Sequence, residues 1–435
     1  MSNKISAPRG TADVLPAESW KWQTVERIAR RLAELYHFAE IRTPIFEHTE
    51  LFHRGVGEAS DIVNKEMYTF EDRGGRSITL RPEGTAGVVR AAIEHSLIGQ
   101  EGARAKVYYF GPNFRYERPQ AGRLRIHHQF GVEAFGSAEP EQDVECILLQ
   151  MDFYRDCKLQ GLALRINTLG DRESKQRYRE GLVTALSPVA SQLSEESQRR
   201  LTENPLRILD SKDPRDIEAM HSVEIPASFQ FLSDAARDHW DAVLQLLTKA
   251  KVKYNVDGNL VRGFDYYTNT LWEVTAENLG AQNALGGGGR YDNLAEQLGA
   301  KPTPGVGFGS GIERLLLALQ KQDVSWSDQT PALVWIASQG EQARSRAFAL
   351  LIDLRNSGIA ADMDPASRSF KSQFKIADRE KASFCVAIGD NEIASPEVTV
   401  KDLASRQEFS VPWDDLIADL KRRIASGAGH HGDFQ

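Results

Sequence analysis

Four short stretches concentrate side chains that packing alone would not select. They are Leu80-Arg81-Pro82-Glu83-Gly84-Thr85, the run from Gly111 through Arg115 and Arg123 to Glu133, Leu260-Val261-Arg262-Gly263-Phe264-Asp265-Tyr266-Tyr267, and Gly305 to Leu315 with Glu313 and Arg314. Arginine is the residue suited to phosphoryl oxygens, because its planar guanidinium is always charged and donates bidentately. Arg115 and Glu117 are two apart on a predicted strand and so share one face, a placement able to seat a triphosphate with Glu117 at a base edge. Alone, such a pair is more often a surface ion pair. Arg314 follows a run of small residues at the expected start of a helix, where the dipole favours anions. That run is not a dinucleotide-binding loop, since no strand–turn–helix–strand unit follows it. His127 and His128 are adjacent, hence on opposite faces of a strand, and no Cys or acidic partner has ligand spacing, so no zinc site is expected and no protein metal ligand is assigned.

These segments need elements to hold them. Pro16–Phe38 carries apolar residues at helical spacing. Ile41–Phe46 reads as a strand containing Pro44, best suited to an edge or an interface. Strands follow at Met67–Phe70, Ser77–Leu80, Val107–Phe110, Phe114–Glu117 and His128–Phe135, and their short connections favour antiparallel pairing. A polar, helix-rich insertion spans about 180–253. Strands resume at Leu260–Val261 and Thr270–Thr275, the glycine run Gly286–Gly289 follows, and Phe308–Leu319 turns helical near Gly311. Lys321–Pro331 is polar and contains proline, as linkers do. Beyond it strands (Leu333–Ala337, Ala360–Met363, Phe384–Ile388) alternate with helices (Glu341–Ser357, Ser369–Lys381), the pattern of a small mixed α/β domain. The expected organisation is an α+β chain with a body over 1–325, a second domain over 331–426 and a disordered tail over 427–435.

The 435 residues carry a formal net charge of −8, which decides nothing about nucleic acid, because binding depends on local basic patches. No apolar run is long enough to span a bilayer, and the first residues lack a signal-peptide core, so no membrane partner is expected. Three scattered cysteines point to a reducing, cytoplasmic home rather than a disulfide framework.

Jointly the segments are more specific than any one of them. Pro44 in its strand, the tetrad Phe114-Arg115-Tyr116-Glu117 and the helix start Gly309–Arg314 resemble motifs 1, 2 and 3 of class II aminoacyl-tRNA synthetases, in that order. Leu260–Tyr267 and Ala284-Leu-Gly-Gly-Gly-Gly-Arg-Tyr-Asp292 resemble the two signatures peculiar to histidyl-tRNA synthetases, and Leu80–Thr85 and Arg368–Asp378 resemble further segments of that family. The likeness runs from about residue 7 to 424. Phe264 stands where Leu is more usual, Asn293 where Gly is commoner and Asp390 where Glu is usual.

The resemblance implies an antiparallel-sheet class II catalytic domain with a helical insertion, followed by an anticodon-binding domain. It implies ATP-dependent ligation of histidine to tRNA(His) through a histidyl-adenylate. Arg115 and Arg262 would act on the α-phosphate and Arg314 would hold the adenosine or γ-phosphate end, all three as catalytic residues, with Glu117 completing the ATP site. Glu83, Gly84, Thr85 and Gln129 would hold the α-amino end of histidine, and Glu133, Tyr266 and Tyr267 its imidazole side. A neutral imidazole offers one donor and one acceptor, which a carboxylate and a phenol complement. Arg118, Gln120 and Arg123 would meet the tRNA acceptor end. Arg368, Lys371, Lys375, Arg379 and Lys381 give the second domain a basic stretch suited to phosphate contacts. Mg2+ would arrive on the ATP phosphates, and the working form would be a homodimer built on the Pro44 segment. The competing readings are a histidine-binding regulatory subunit of ATP phosphoribosyltransferase and an RNA-binding sensor on the same fold; the three retained arginines and the second domain argue against both.

Overall fold

The computed structural model describes residues 5–57, 60–100, 102–120, 122–277, 283–326, 332–366 and 368–426. The chain divides into two compact units, Met1–Trp326 and Ser327–Gln435. The expected tail over 427–435 lies outside the described residues.

The first unit is built on an eight-stranded sheet. From one edge the strands are Ala39–Glu40, Ala105–Phe114, Ile126–Phe135, Gly305–Gly311, Ala284–Arg290, Thr268–Ala276, Leu162–Thr168 and Asn255–Val256. The six inner strands pair antiparallel, and each two-residue edge strand pairs parallel, so the sheet is mixed. Apolar residues on one face pack beneath the helix Pro140–Asp156, where Phe130, Phe153, Trp272 and Phe308 are buried. Proline at the first turn of Pro140–Asp156 and of Pro16–Leu35 costs nothing, because the amide it lacks has no intrahelical partner there. The insertion folds as helices: Arg172–Leu186, Glu195–Glu203, Pro214–His221 and Asp234–Lys249, with short 3-10 turns between them.

Four expectations need correction. Ile41–Phe46 is not one strand: pairing stops at Glu40 and resumes over Phe46–His48 in a small three-stranded sheet. Pro44 offers no amide in that gap, and the Thr43 carbonyl there accepts from the buried Arg81 instead. The strand carrying Phe114 ends at that residue, so Arg115 and Glu117 lie on a loop. The Arg115 amide makes one last bond in the hairpin register, to the Arg125 carbonyl, and that of Tyr116 then turns away to the Glu66 carbonyl. Leu260–Val261 is likewise loop, the short strand lying earlier at Asn255–Val256. The supposed linker begins too early, since Val324 and Trp326 pack against the first unit's core.

The second unit is a five-stranded mixed sheet with helices Glu341–Asn356, Phe370–Arg379 and Leu416–Ala425 and its own core around Val334, Phe384, Val386 and Leu416. The hairpin Glu397–Asp402/Glu408–Pro412 was not anticipated, because its short strands mix charged with apolar residues.

Candidate active site

The antiparallel hairpin Ala105–Phe114/Ile126–Phe135 and the glycine-rich strands beside it form a floor. Glu133 stands on that floor opposite Gly307, and Gln129 lies beside Gly309. A Cβ at Gly307 would collide with the Glu133 carboxylate, one at Gly289 with the Tyr267 ring, and one at Gly287 would press on the Arg262 guanidinium. The glycines therefore hold the backbone low enough for functional side chains to lie across it.

Glu133 is 1% exposed and takes hydroxyl donors from three elements. Thr85 Oγ1 donates to its Oε1 at 2.8 Å and Tyr109 at 3.2 Å, while Tyr291 donates to Oε2. Burial, against the pull of these hydroxyls, pushes its carboxyl up to about 8. Glu83 lies nearby, also buried, its two oxygens accepting the amides of Thr85 and Ala86 at 2.7 Å. Burial raises the Glu83 carboxyl as well, against those amide donors. Gly84 packs under the Tyr109 ring, where any Cβ would clash. Gln129 accepts from Asn113 Nδ2 at 2.8 Å.

The loop Leu260–Tyr267 forms one wall. Arg262 donates to Glu273 at 2.6 Å. Tyr266 and Tyr267 are buried with centroids 4.8 Å apart, and burial lifts the Tyr267 phenol to about 12, so both are neutral donors at physiological pH. Phe264 stacks on Tyr266 at 5.1 Å and meets Tyr267 edge-on at 6.2 Å, and the Arg115 guanidinium lies 5.6 Å from its ring centroid.

Arg115 is anchored by its Nε, which donates to the Pro82 carbonyl at 2.8 Å. Glu117 lies 3.8 Å from Arg115 and 3.2 Å from Arg123, so the expected base-edge residue is held between two cations. Arg314 occupies the first turn of the helix Ile312–Lys321 and donates through Nε to the Ala284 carbonyl. Burial first, and the Arg123 charge second, hold its pKa below the usual arginine value. Gln120 and Arg123 bridge each other's backbone, and Arg118 and Gln120 are exposed. Burial and the nearby Arg115 charge push the His127 imidazole down to about 3, while His128 is engaged by Glu313 at 2.8 Å. Among the described residues no group of three or more His, Cys, Asp or Glu is arranged to hold a metal.

Three chain segments thus meet around one polar floor: Glu83, Thr85, Glu133 and Gln129 on it, Arg262 and Tyr267 along one wall, and Arg115 at the other side of Phe264. Sequence reasoning missed Tyr109, Tyr291 and Glu273, whose only signals were a strand position paired with Gly131, a place inside the Ala284–Asp292 run and a strand position one alternation from Leu271.

The histidyl-tRNA synthetase family model matches residues 10–315, and a model described as an anticodon binding domain matches residues 332–423. The chain is 47% identical over 420 residues to the histidine–tRNA ligase of Halothermothrix orenii, covering 97% of this chain and 100% of that protein. It is 48% identical to that of Geobacillus kaustophilus, covering 96% and 98%. The apo histidyl-tRNA synthetase of S. aureus superposes with a TM-score of 0.82 at 38% identity, covering 96% of this chain and all of that one. A Bacillus halodurans structure titled as an ATP phosphoribosyltransferase regulatory subunit/histidyl-tRNA synthetase shares the fold at a TM-score of 0.61 and 21% identity. With the family model matched over residues 10–315 and relatives at 47–48% identity over nearly the whole length, the chain belongs to the histidyl-tRNA synthetases.

Proposed function

We propose that the chain activates histidine with ATP, forming histidyl-adenylate and pyrophosphate, and then transfers the histidyl group to tRNA(His) with release of AMP. The observation that carries this reading is Glu133, a buried carboxyl ringed by hydroxyls on a glycine floor with Tyr267 beside it. A site of this polarity accepts an imidazole N–H on the carboxylate and offers a phenol to the other ring nitrogen, and it rejects side chains that leave those groups unpaired. Glu83, Gly84, Thr85 and Gln129 would take the α-amino end, and Tyr266 would back the imidazole.

In the first step a histidine carboxylate oxygen attacks the α-phosphorus and the bond to pyrophosphate breaks. Charge develops on the phosphoryl oxygens, where preorganised cations are the effective catalysts. Arg115 would bridge carboxylate and α-phosphate, Arg262 would approach the same phosphate from the opposite wall, and Arg314 would hold the adenosine or γ-phosphate end of ATP. Glu117 would meet the base, a role that requires it to exchange part of its pairing with Arg123. Mg2+ would enter on the ATP phosphates. Glu117 and Glu273 already hold arginines, and neither is assigned to the metal.

Arg118, Gln120 and Arg123 would contact the acceptor end of the tRNA. The unit over 331–426 would bind the anticodon, with Lys371, Lys375 and Arg379 on the helix Phe370–Arg379 supplying positive charge. The body over 1–325, with its 180–253 insertion, would be the catalytic domain of class II type. We propose a homodimer working in the cytoplasm; no helix among the described residues is long and apolar enough to cross a membrane.

The decisive test is Arg262→Ala. Histidine-dependent ATP–pyrophosphate exchange should fall by about a thousandfold, on the scale of losing one oxyanion-stabilising donor, while histidine binding measured by calorimetry changes little. Near-normal exchange by the variant would overturn the assignment.

A further inference from the structure

The loop Leu260–Tyr267 has no secondary structure of its own, yet five of its carbonyls accept from side chains outside it. Asn167 Nδ2 donates to the Leu260 carbonyl at 2.9 Å. Arg207 donates to those of Arg262 at 3.3 Å and Gly263 at 2.9 Å. Lys175 Nζ donates to those of Asp265 at 2.7 Å and Tyr267 at 3.0 Å. The Asp265 side chain then closes the set, its Oδ1 accepting from Arg207 at 2.8 Å and Asn204 at 2.9 Å. Buried carbonyls need partners, and here side chains outside the loop supply them.

Three of the four donors, all but Asn167 on the strand Leu162–Thr168, come from the helical segment that begins at Arg172. Lys175 lies on the helix Arg172–Leu186, and Asn204 and Arg207 lie at the 3-10 turn Pro205–Asp210 that follows the helix Glu195–Glu203. Arg207 is 8% exposed, costly for a guanidinium whose only carboxylate partner among the described residues is Asp265. Burial first, with Arg179 and Arg207 adding to it and Asp265 opposing, pushes the Lys175 ammonium down to about 8. A cleft of about 200 Å³ remains between Lys175, Asn204 and Arg207 on one side and Arg262, Phe264 and Tyr267 on the other. The loop is therefore held to the insertion by hydrogen bonds around this cleft as well as by apolar packing, Tyr178 and Leu206 sharing a buried cluster with Leu260, Tyr266 and Tyr267.

We infer that the helical insertion is part of the amino-acid site, with Lys175, Asn204 and Arg207 as positioning residues that clamp the loop so that Arg262 and Tyr267 lie across the glycine floor. The inference rests on the reading of Arg262 and Tyr267 given above. The same segment reaches the opposite side of the site as well: Glu196 pairs with Lys65 at 2.7 Å and Arg200 with Asp61 at 2.7 Å, one turn before Glu66 receives the Tyr116 amide. A clamp of this kind makes the geometry of histidine activation depend on the state of the insertion.

The test is steady-state pyrophosphate exchange by the full chain carrying Arg207→Met, Arg207→Lys or Asp265→Ala, with Arg262→Ala alongside. Loosening the loop by an ångström is expected to lower kcat about 10–100-fold and to raise the KM for histidine several-fold. The KM for ATP should rise less than that for histidine, because of the residues assigned to ATP only Arg262 lies in the loop, whereas Arg115, Glu117 and Arg314 lie outside it. Arg207→Lys keeps the charge but cannot fork to three acceptors, so it should fall between wild type and Arg207→Met. Asp265 is 30% exposed in its side chain, so Asp265→Ala is the variant expected to stay folded, with the same split at smaller size. Unchanged kcat and histidine KM in folded Asp265→Ala and Arg207→Met would overturn the clamp. An ATP KM that rises as much as the histidine KM would also overturn it, showing general damage. If Arg262→Ala exchanges normally, the reading beneath the inference fails, a result distinguishable from intact Arg262 dependence with silent clamp variants.

Discussion

Glu133 sets the chemistry of the site and also carries a cost. Its carboxyl stands at about 8 in the folded chain against an ordinary 4.5, burial being the chief cause. Folding therefore favours the protonated form. The stability associated with it is fully present below about pH 4.5 and is lost as pH rises through about 8. Replacing the acid with its neutral isostere removes that dependence. Glu133→Gln is expected to melt within about 2 °C of wild type at pH 5 and several degrees above it at pH 8.5, an advantage of roughly 2–4 kcal/mol. Parallel melting curves across this range, followed by scanning calorimetry, would show that the carboxyl is ionised without penalty. Part of this environment was legible in sequence: Glu133, Thr85 and Tyr267 were singled out from their motifs. Tyr109 and Tyr291 were not, because a tyrosine on a strand looks like ordinary core until its hydroxyl has a partner, and those partners are 24 and 158 residues away.

Elements were read best where they are long and periodic and worst where a functional residue interrupts them. The helix bearing Arg314 and the strand Phe384–Ile388 fall close to their expected positions. The strand before Arg115 and the segment around Pro44 do not, because local pattern extends a strand through residues whose amides the tertiary structure diverts. The small sheet beside Pro44 has a consequence for assembly. Phe46 and Phe70 lie on one of its faces, two residues apart in register across Ser77–Leu80, and are 52% and 48% exposed. Ile45 next to them is 46% exposed, an apolar surface of the kind that marks an interface. A homodimer through this sheet should bury roughly 2,000 Å² or more, and sedimentation at micromolar concentration should give twice the chain mass. Phe46→Glu should shift the population to monomer and lower exchange with it. A wild-type monomer that is fully active would remove the interface from the account.

At the scale of the whole chain, the alternation of strands and helices after residue 331 foretold a second folding unit, and the polar proline-containing stretch before it foretold the break. The point of division was less legible, since nothing local distinguishes Val324 and Trp326 from linker residues until they are seen against the first core. That placement decides where the chain can be cut. Ending it after Trp326 leaves every residue assigned to adenylate formation and retains the packing that a cut at Lys321 would remove. Each unit has its own apolar core, so the remaining body should stay folded. It should keep histidine-dependent pyrophosphate exchange within about tenfold of the full chain, whereas tRNA histidylation should fall by at least a further hundredfold or so, because lost phosphate and anticodon contacts supply affinity and orientation. Both activities are to be measured on one preparation whose circular dichroism shows native helix content. Equal losses from a folded body would mean that the second unit supports activation as well, and unchanged histidylation would mean that its basic helix Phe370–Arg379 serves something other than tRNA.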